Sequence, residues 1–177
     1  MGILNLKYKT AHKFIKNQSK KTKNREKIKV DIIKSVGIIA KADLFKAYDF
    51  TNKLNQELGL PKNAIEVVLF DHSSSENSVE NYYIFSEKSF GLYGKIKEDK
   101  LKDFVNTRFD LLINYCDSDN VYAQISSIRS KAKLKAGFDH DYSNFNDITI
   151  KIIGNKIDTF NSELIKYLQI LNLLNNK

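Results

Sequence analysis

The sequence predicts an α/β fold, in which helices cover both faces of a mostly parallel sheet of five or six strands. Three observations predict this fold class. Short apolar runs alternate with segments in which apolar residues recur every three or four positions. The short runs are apolar at successive positions, as in strands that are buried on both faces. Basic residues are concentrated before the first of these runs, which predicts an additional N-terminal basic helix.

The sequence pattern predicts seven strand segments within the α/β domain. It also predicts four helices there, which separate or follow most of these strands. The predicted strands are 35–40, 64–70, 82–85, 90–96, 109–115, 133–138 and 147–153. The predicted helices are 42–58, 98–107, 120–131 and one that starts at Asp158. Segments 82–85 and 90–96 could form a hairpin across 86–89, and Asp119 and Asp158 are placed to cap helices. Because helices separate most strands, a Rossmann-like arrangement is expected.

The composition excludes several classes of protein. The chain has 177 residues, of which 42% are hydrophobic, so it is long enough to bury a core. Its single cysteine, Cys116, excludes a disulfide framework and a multi-cysteine zinc site. No apolar run approaches the length that crosses a bilayer, and residues 1–7 are too polar for a signal peptide. We therefore expect a soluble, cytoplasmic protein.

The positive charge is unevenly distributed. Residues 1–34 hold ten lysines and Arg25 against Glu26 and Asp31, whereas the whole chain has a net charge of +8. The first fifth of the chain is thus strongly basic and the remainder is almost neutral. This difference predicts two parts, a basic helical arm over 1–34 and a single α/β domain over 35–177.

The arm has the pattern of an amphipathic helix over residues 3–16. On a helical wheel the lysines share one face, while Tyr8, Phe14 and Ile15 lie on the opposite face and are expected to anchor the helix to the domain. Lys7, Lys21, Arg25 and Lys29 are nearby in the sequence and are expected to add to this strip of positive charge. After Ile15 the apolar stripe stops, so residues 17–27 are expected to be a solvated helix or a mobile linker.

Acidic residues and histidines follow three of the predicted strands. If the sheet is parallel, they share its carboxyl edge, where open α/β folds bind ligands. Carboxylates and imidazoles there could hold a divalent cation for an enzyme acting on a phosphorylated or sugar substrate. The alternative is that they are ordinary caps and turns. This set consists of Asp71, His72, Asp117, Asp119, Asp139, His140 and Asp141. Cys116 could be a nucleophile beside His72 or His140, but its apolar strand favours a buried thiol.

A nucleotide site is not indicated by the glycines. They are scattered, and neither GxGxxG nor GxxxxGK[ST] occurs. Gly91 and Gly94 lie near Lys95 and Lys97, which is a weak phosphate-binding pattern. A hairpin turn that needs positive φ explains these two glycines better. We therefore expect no cofactor.

One long stretch resembles a known family. The run FDLLINYCDSDNVYAQISSIRSKAKLKAGFD (109–139), preceded by FGLYGKIK (90–97), resembles a bacterial family of small α/β proteins of unknown function. That resemblance implies a fold but no activity. The same run is loosely similar to the first half of two-domain glycosyltransferases of the lipopolysaccharide heptose type. Those enzymes bind the sugar nucleotide in a second domain, which we do not expect in this chain.

The function that the sequence favours is non-enzymatic binding of an anionic partner by the arm, with RNA or a ribonucleoprotein as the expected partner. An enzyme at the carboxyl edge and a peripheral protein of anionic membrane surfaces are the alternatives, the latter through insertion of Tyr8, Phe14 and Ile15. A solvated helix with no partner is the plainest interpretation. The residues that would carry the charge are Lys13, Lys16, Lys20, Lys21, Lys23, Arg25 and Lys27.

Overall fold

The protein contains one parallel sheet with helices packed on both of its faces. The computed structural model describes residues 3–21, 30–48, 50–72, 82–140, 143–152 and 156–175. The strands described are β1 (Val36–Lys41), β2 (Ile65–Phe70), β3 (Tyr83–Phe85), β4 (Leu111–Asn114), β5 (Leu134–Phe138) and β6 (Ile148–Ile150). The helices described are α1 (Ile3–Lys21), α2 (Ala42–Ala47), α3 (Phe50–Leu58), α4 (Asp99–Asn106), α5 (Val121–Arg129) and α6 (Ile157–Ile170).

The strand order is β3-β2-β1-β4-β5-β6, and every neighbouring pair is parallel. The chain starts in the middle at β1, moves outward to β3, and returns to the other side of β1 at β4. In register, Val36 of β1 pairs with Ile65 of β2 on one side and with Leu111 of β4 on the other. The order therefore reverses between β1 and β4, and the carboxyl ends of these two strands form the topological switch point.

Alternation of side chains along the strands builds two cores. On one face Ile38 of β1 packs with α2, α3 and α6, in which Leu54 and Leu164 are fully buried. On the other face Ile39 packs with α1, α4 and α5, in which Leu101 and Ile125 are fully buried. The predicted α/β class, the parallel sheet and the helices on both faces are confirmed.

Helix α1 packs into the second core. Ala11 and Ile15 are buried there at 0% and 2% exposure, and Phe14 is half-buried. The helix continues past the predicted end at residue 16, because Ser19 is also buried and its hydroxyl donates to the Ile15 carbonyl over 3.0 Å. Anchoring by Phe14 and Ile15 is confirmed, whereas Tyr8 is 48% exposed and its ring lies edge-on against His12. The prediction that Tyr8 is an anchor was wrong.

The predicted helix 42–58 is divided into α2 and α3. The backbone at Tyr48 is extended, with φ −141° and ψ 124°, which ends α2. The Tyr48 hydroxyl donates to Asp158 on α6 over 2.6 Å. A contact with a helix more than one hundred residues away therefore accompanies the break in the local pattern.

The predicted hairpin over 82–96 is also wrong. Strand β3 pairs in parallel with β2, and residues Glu87–Ser89 form a 3₁₀ turn that is capped by Ser86. Phe90 and Ile96 share only an isolated antiparallel bridge. The turn between them contains Tyr93 and Gly94, whose φ angles are 55° and 64°. The expected positive φ is therefore present at Gly94, in a tight turn closed by this antiparallel bridge, but not at Gly91, whose φ is −101°.

Neither of the two predicted helix caps is present. Asn120, and not Asp119, caps α5, since its Oδ1 accepts from the Ala123 N–H over 3.0 Å. Asp158 lies inside the first turn of α6 and accepts from Tyr48 and Lys53 instead of capping the helix.

Candidate functional site

The acidic residues at the carboxyl edge do not converge. Asp71 follows β2 and Asp139 follows β5, with β1 and β4 between them, so three strand spacings of about 4.8 Å separate them. In the part of the chain that the structure describes, no three His, Cys, Asp or Glu side chains are arranged to hold a metal ion. His72 packs edge-on against Phe70, and His140 lies near the Phe145 ring. Asp141 lies outside the described residues.

The switch point between β1 and β4 is occupied by an ion pair. The Lys41 ammonium at the end of β1 donates to the Asp117 carboxylate after β4 over 2.5 Å. Burial opposes ionisation of Lys41, but the hydrogen bond and the charge of Asp117, helped by Asp119, raise the pKa of Lys41 overall. The two charges compensate each other where an open α/β fold usually receives its ligand. Asp117 is therefore engaged in a structural contact.

Cys116 is a buried thiol, as predicted. Its side chain is 1% exposed, and its N–H donates to the Asn114 side chain over 3.0 Å. Burial raises the pKa of Cys116 far above its ordinary value, which keeps the sulfur protonated. A protonated thiol is a weak nucleophile, so the geometry does not support catalysis by this residue.

The outer face of α1 carries an exposed strip of lysines. Lys13, Lys16 and Lys20 are exposed on the side of the helix opposite Ala11 and Ile15. Among the described residues no carboxylate lies within ion-pair distance of these three ammonium groups. We call Lys13, Lys16 and Lys20 the lysine strip. Of the other predicted contacts, Lys21 is the last residue of α1, and Lys23, Arg25, Lys27 and Lys29 lie outside the described residues.

Lys7 does not belong to the strip, contrary to expectation. It is 9% exposed, its ammonium donates to the Glu87 carbonyl, and it lies 5.7 Å from the centroid of the Tyr122 ring. Burial, reinforced by the charge of Lys97, lowers the pKa of Lys7, and Glu87 only partly offsets this. Lys7 thus fastens the first turns of α1 to the domain.

Most of the apolar side of α1 packs against the domain. Ile15 is buried, and the Arg129 guanidinium lies over the Phe14 ring at 4.5 Å. Insertion of Phe14 and Ile15 into a lipid surface would require α1 to leave the core. Within the described residues, no helix has the length and apolar character needed to span a bilayer.

Two clefts flank α1. The first has a volume of about 390 Å³ and lies between α1 and the loop after β4. We call it the switch-point cleft, and it is lined by His12, Lys13, Ile15, Lys16, Ser118, Asp119 and Gln124. Of the acidic residues predicted from the sequence, this cleft contains Asp119 alone.

The second cleft lies on the other side of α1, between α1, α4 and α5, and has a volume of about 500 Å³. We call it the cationic groove. Its lining contains four basic residues and no carboxylate, and consists of Phe14, Gln18, Lys95, Ile96, Lys102, Val105, Asn106, Ile128, Arg129 and Lys131. The sequence did not predict this site, because its cations come from two segments, 95–102 and 129–131, which only the folded chain brings together. The signal in the sequence is the proximity of Gly91 and Gly94 to Lys95 and Lys97, a pattern that a turn also explains.

The comparisons with known proteins identify a family but no activity. No curated protein and no solved structure gives a significant match to this chain. The model of a family of unknown function, DUF6913, matches residues 7–171. The match therefore includes most of α1 and the whole sheet. The expected likeness to an uncharacterised family is confirmed, while the bacterial origin and the similarity to heptose transferases stay predictions. Because the match covers almost the whole chain, this protein belongs to the DUF6913 family of unknown function.

Proposed function

We propose that the protein is a non-enzymatic binding or adaptor protein whose helix α1 engages an anionic partner, RNA or a ribonucleoprotein. The observation that carries this proposal is the lysine strip, three exposed ammonium groups opposite the buried face of α1. Residues 13, 16 and 20 span about 10 Å along the helix axis at 1.5 Å per residue. Several phosphates of one strand can approach a strip of this length.

Docking of α1 explains how the strip is presented. With Ala11 and Ile15 buried in the second core, the helix is folded before the partner arrives. A helix that is already ordered loses less conformational entropy on binding than a disordered basic tail. The lysines then displace counterions from phosphates without any need to recognise bases. We infer an electrostatic binding mode without sequence specificity at this strip.

The test reverses the charge of the strip. The variant Lys13→Glu/Lys16→Glu/Lys20→Glu is compared with a control, Lys46→Glu/Lys151→Glu/Lys156→Glu, which makes the same charge change at exposed positions away from α1. Fluorescence anisotropy with labelled oligouridine measures affinity at low salt. We expect the strip variant to bind at least ~10-fold more weakly than wild type and the control to stay within about twofold. Equal losses in the two variants, or no binding by wild type, would overturn the proposal.

Charge reversal is a sharper test than removal of the arm. Deletion of residues 1–27 would also remove Ala11 and Ile15 and expose the second core. A further arm of the experiment uses vesicles of phosphatidylserine and phosphatidylcholine. If wild type co-sediments with the anionic vesicles but does not bind oligouridine, the partner is a membrane surface and the RNA proposal fails.

A second candidate function is favoured by the switch-point cleft. His12, Lys13 and Lys16 line this cleft together with Ser118 and Asp119, and its volume of about 390 Å³ is the size of small-molecule sites. A phosphorylated or sugar substrate, with a divalent cation at Asp119, would suit these side chains. Calorimetric titration with inorganic phosphate, with and without Mg²⁺, tests it. Binding that requires Mg²⁺ and is lost in Asp119→Asn supports this candidate, and binding unaffected by either change rejects it.

A further inference from the structure

Arg129 is held in one orientation at the wall of the cationic groove. Its Nε donates to the Gly94 carbonyl over 2.8 Å, and its Nη2 donates to the Tyr93 carbonyl over 3.3 Å. The guanidinium also lies over the Phe14 ring at 4.5 Å. A guanidinium has five N–H donors, and the contacts that the structure describes use two of them. The remaining donors are held in place for a ligand.

The charged residues that line the groove are all basic. Lys95, Lys102 and Lys131 line the same groove, and among the described residues Lys102 forms an ion pair with Asp99 over 2.7 Å. Lys95 and Lys131 are exposed and take part in none of the described ion pairs. Because no carboxylate lines the groove, an anionic ligand is the occupant that the charges favour.

Four apolar side chains line the floor of the groove beside its basic residues. Ile96 and Val105 lie there at 7% and 5% exposure, and Ile128 and Phe14 are half-buried. An inorganic anion would leave this floor unused. A single strand of nucleic acid offers both a charged backbone and the apolar faces of its bases, whereas a duplex keeps its bases stacked inside. Arg guanidinium planes are a common surface on which unpaired bases stack.

We propose that the cationic groove binds an unpaired segment of RNA, with Arg129 as its fixed contact and Lys95 and Lys131 neutralising the adjacent phosphates. This inference rests on the proposed function and deepens it, because it assigns single-stranded RNA as the partner. Phe14 and Gln18 of the groove lie in the same turns of α1 as Lys13 and Lys16 of the lysine strip, so one strand that crosses the helix can contact both sites.

The test compares Lys95→Glu/Lys131→Glu with Lys46→Glu/Lys156→Glu, which changes the net charge equally at exposed positions elsewhere. Labelled oligouridine and an RNA duplex of the same length are the probes. We expect the groove variant to bind oligouridine ~10-fold more weakly, with a much smaller effect on the duplex, and the control to change neither. If the lysine-strip variant loses affinity and the groove variant does not, this inference fails while the proposed function stands. If neither variant loses affinity, both fail.

A second variant distinguishes the contribution of the planar guanidinium of Arg129 from the contribution of its charge. Arg129→Lys keeps the positive charge but loses the planar group that can stack and donate in a fork. We expect it to weaken oligouridine binding severalfold without a change in the salt dependence, whereas Lys95→Glu/Lys131→Glu reduces both. A melting curve establishes that Arg129→Lys is folded under the conditions of the assay. Wild-type affinity in a folded Arg129→Lys protein would overturn the role of Arg129.

Discussion

Asp110 joins three segments of the chain at the amino end of the sheet. Its Oδ2 accepts from the N–H groups of Lys34 and Ser35 and from the Ser35 hydroxyl, at 3.0 to 3.1 Å. Its Oδ1 accepts from the Lys133 ammonium over 2.6 Å. The carboxylate is buried, so removing it leaves several donors without a partner. We expect Asp110→Ala to lower the free energy of unfolding by about 2–3 kcal/mol.

Urea denaturation measures this loss, and Asp103→Ala is a suitable control because Asp103 is exposed on α4. The control should change the free energy of unfolding by less than about 0.5 kcal/mol. Equal effects of the two substitutions would show that Asp110 does not hold these segments together.

The same carboxylate makes part of the stability depend on pH. Burial opposes ionisation of Asp110, but the hydrogen bonds from Lys133, Lys34 and Ser35 together lower the pKa of Asp110. A group whose pKa is lowered by folding stabilises the protein fully above its unfolded pKa, about 4 for aspartate. That contribution decreases as the pH falls through the folded pKa. The stability difference between wild type and Asp110→Asn should therefore shrink below about pH 4, and denaturation at several pH values checks this.

Position 94 requires glycine for two reasons, its backbone conformation and the lack of space for a side chain. Its φ is +64°, and a Cβ at this position would lie 2.9 Å from two carbons of the Ile125 side chain. We expect Gly94→Ala to destabilise the protein by about 1–2 kcal/mol. Calorimetric melting measures the loss, and Gly91→Ala is the control, because a Cβ there would have no neighbour nearer than 3.7 Å. A melting temperature of Gly94→Ala equal to that of the control contradicts this expectation.

At the scale of elements, α1 is integrated into the domain by its apolar face. Ile15 is 2% exposed in the second core, whereas Leu6 on the same helix is 48% exposed. We expect Ile15→Ala to cost about 2–4 kcal/mol, because it leaves a cavity under the helix, and Leu6→Ala to cost less than about 1 kcal/mol. Chemical denaturation of both variants provides the comparison. If Ile15→Ala is as stable as Leu6→Ala, α1 is not part of the folded unit.

The strands could be predicted from the sequence because continuous apolar runs record burial on both faces, as in β1 and β4. The helical wheel likewise predicted that Ile15 and Phe14 pack against the domain. Local pattern did not reveal the break at Tyr48, since its contact with Asp158 depends on α6. It also failed for Tyr8, which is only about 20° from Ile15 on the helical wheel and is nevertheless 48% exposed.

At the scale of the whole molecule, the uneven distribution of charge was predictable, because it follows from counting basic and acidic residues along the chain. The cationic groove was not, since Lys95, Arg129 and Lys131 meet only after α1, α4 and α5 have packed. The acidic residues at the carboxyl edge were predicted only in part. Sequence correctly placed Asp71 and Asp139 after parallel strands, but the order of those strands separates them.

The proposed function depends on cations that α1 presents to an anionic partner while its apolar face packs against the domain. The most direct measurement is the slope of log affinity for oligouridine against log salt concentration, for wild type and for Lys13→Glu/Lys16→Glu/Lys20→Glu. Each lost phosphate contact should reduce the magnitude of the slope by about 0.7, so three lost contacts reduce it by about 2. A variant whose slope equals that of wild type would contradict the proposed function, because the strip would then contact no phosphates.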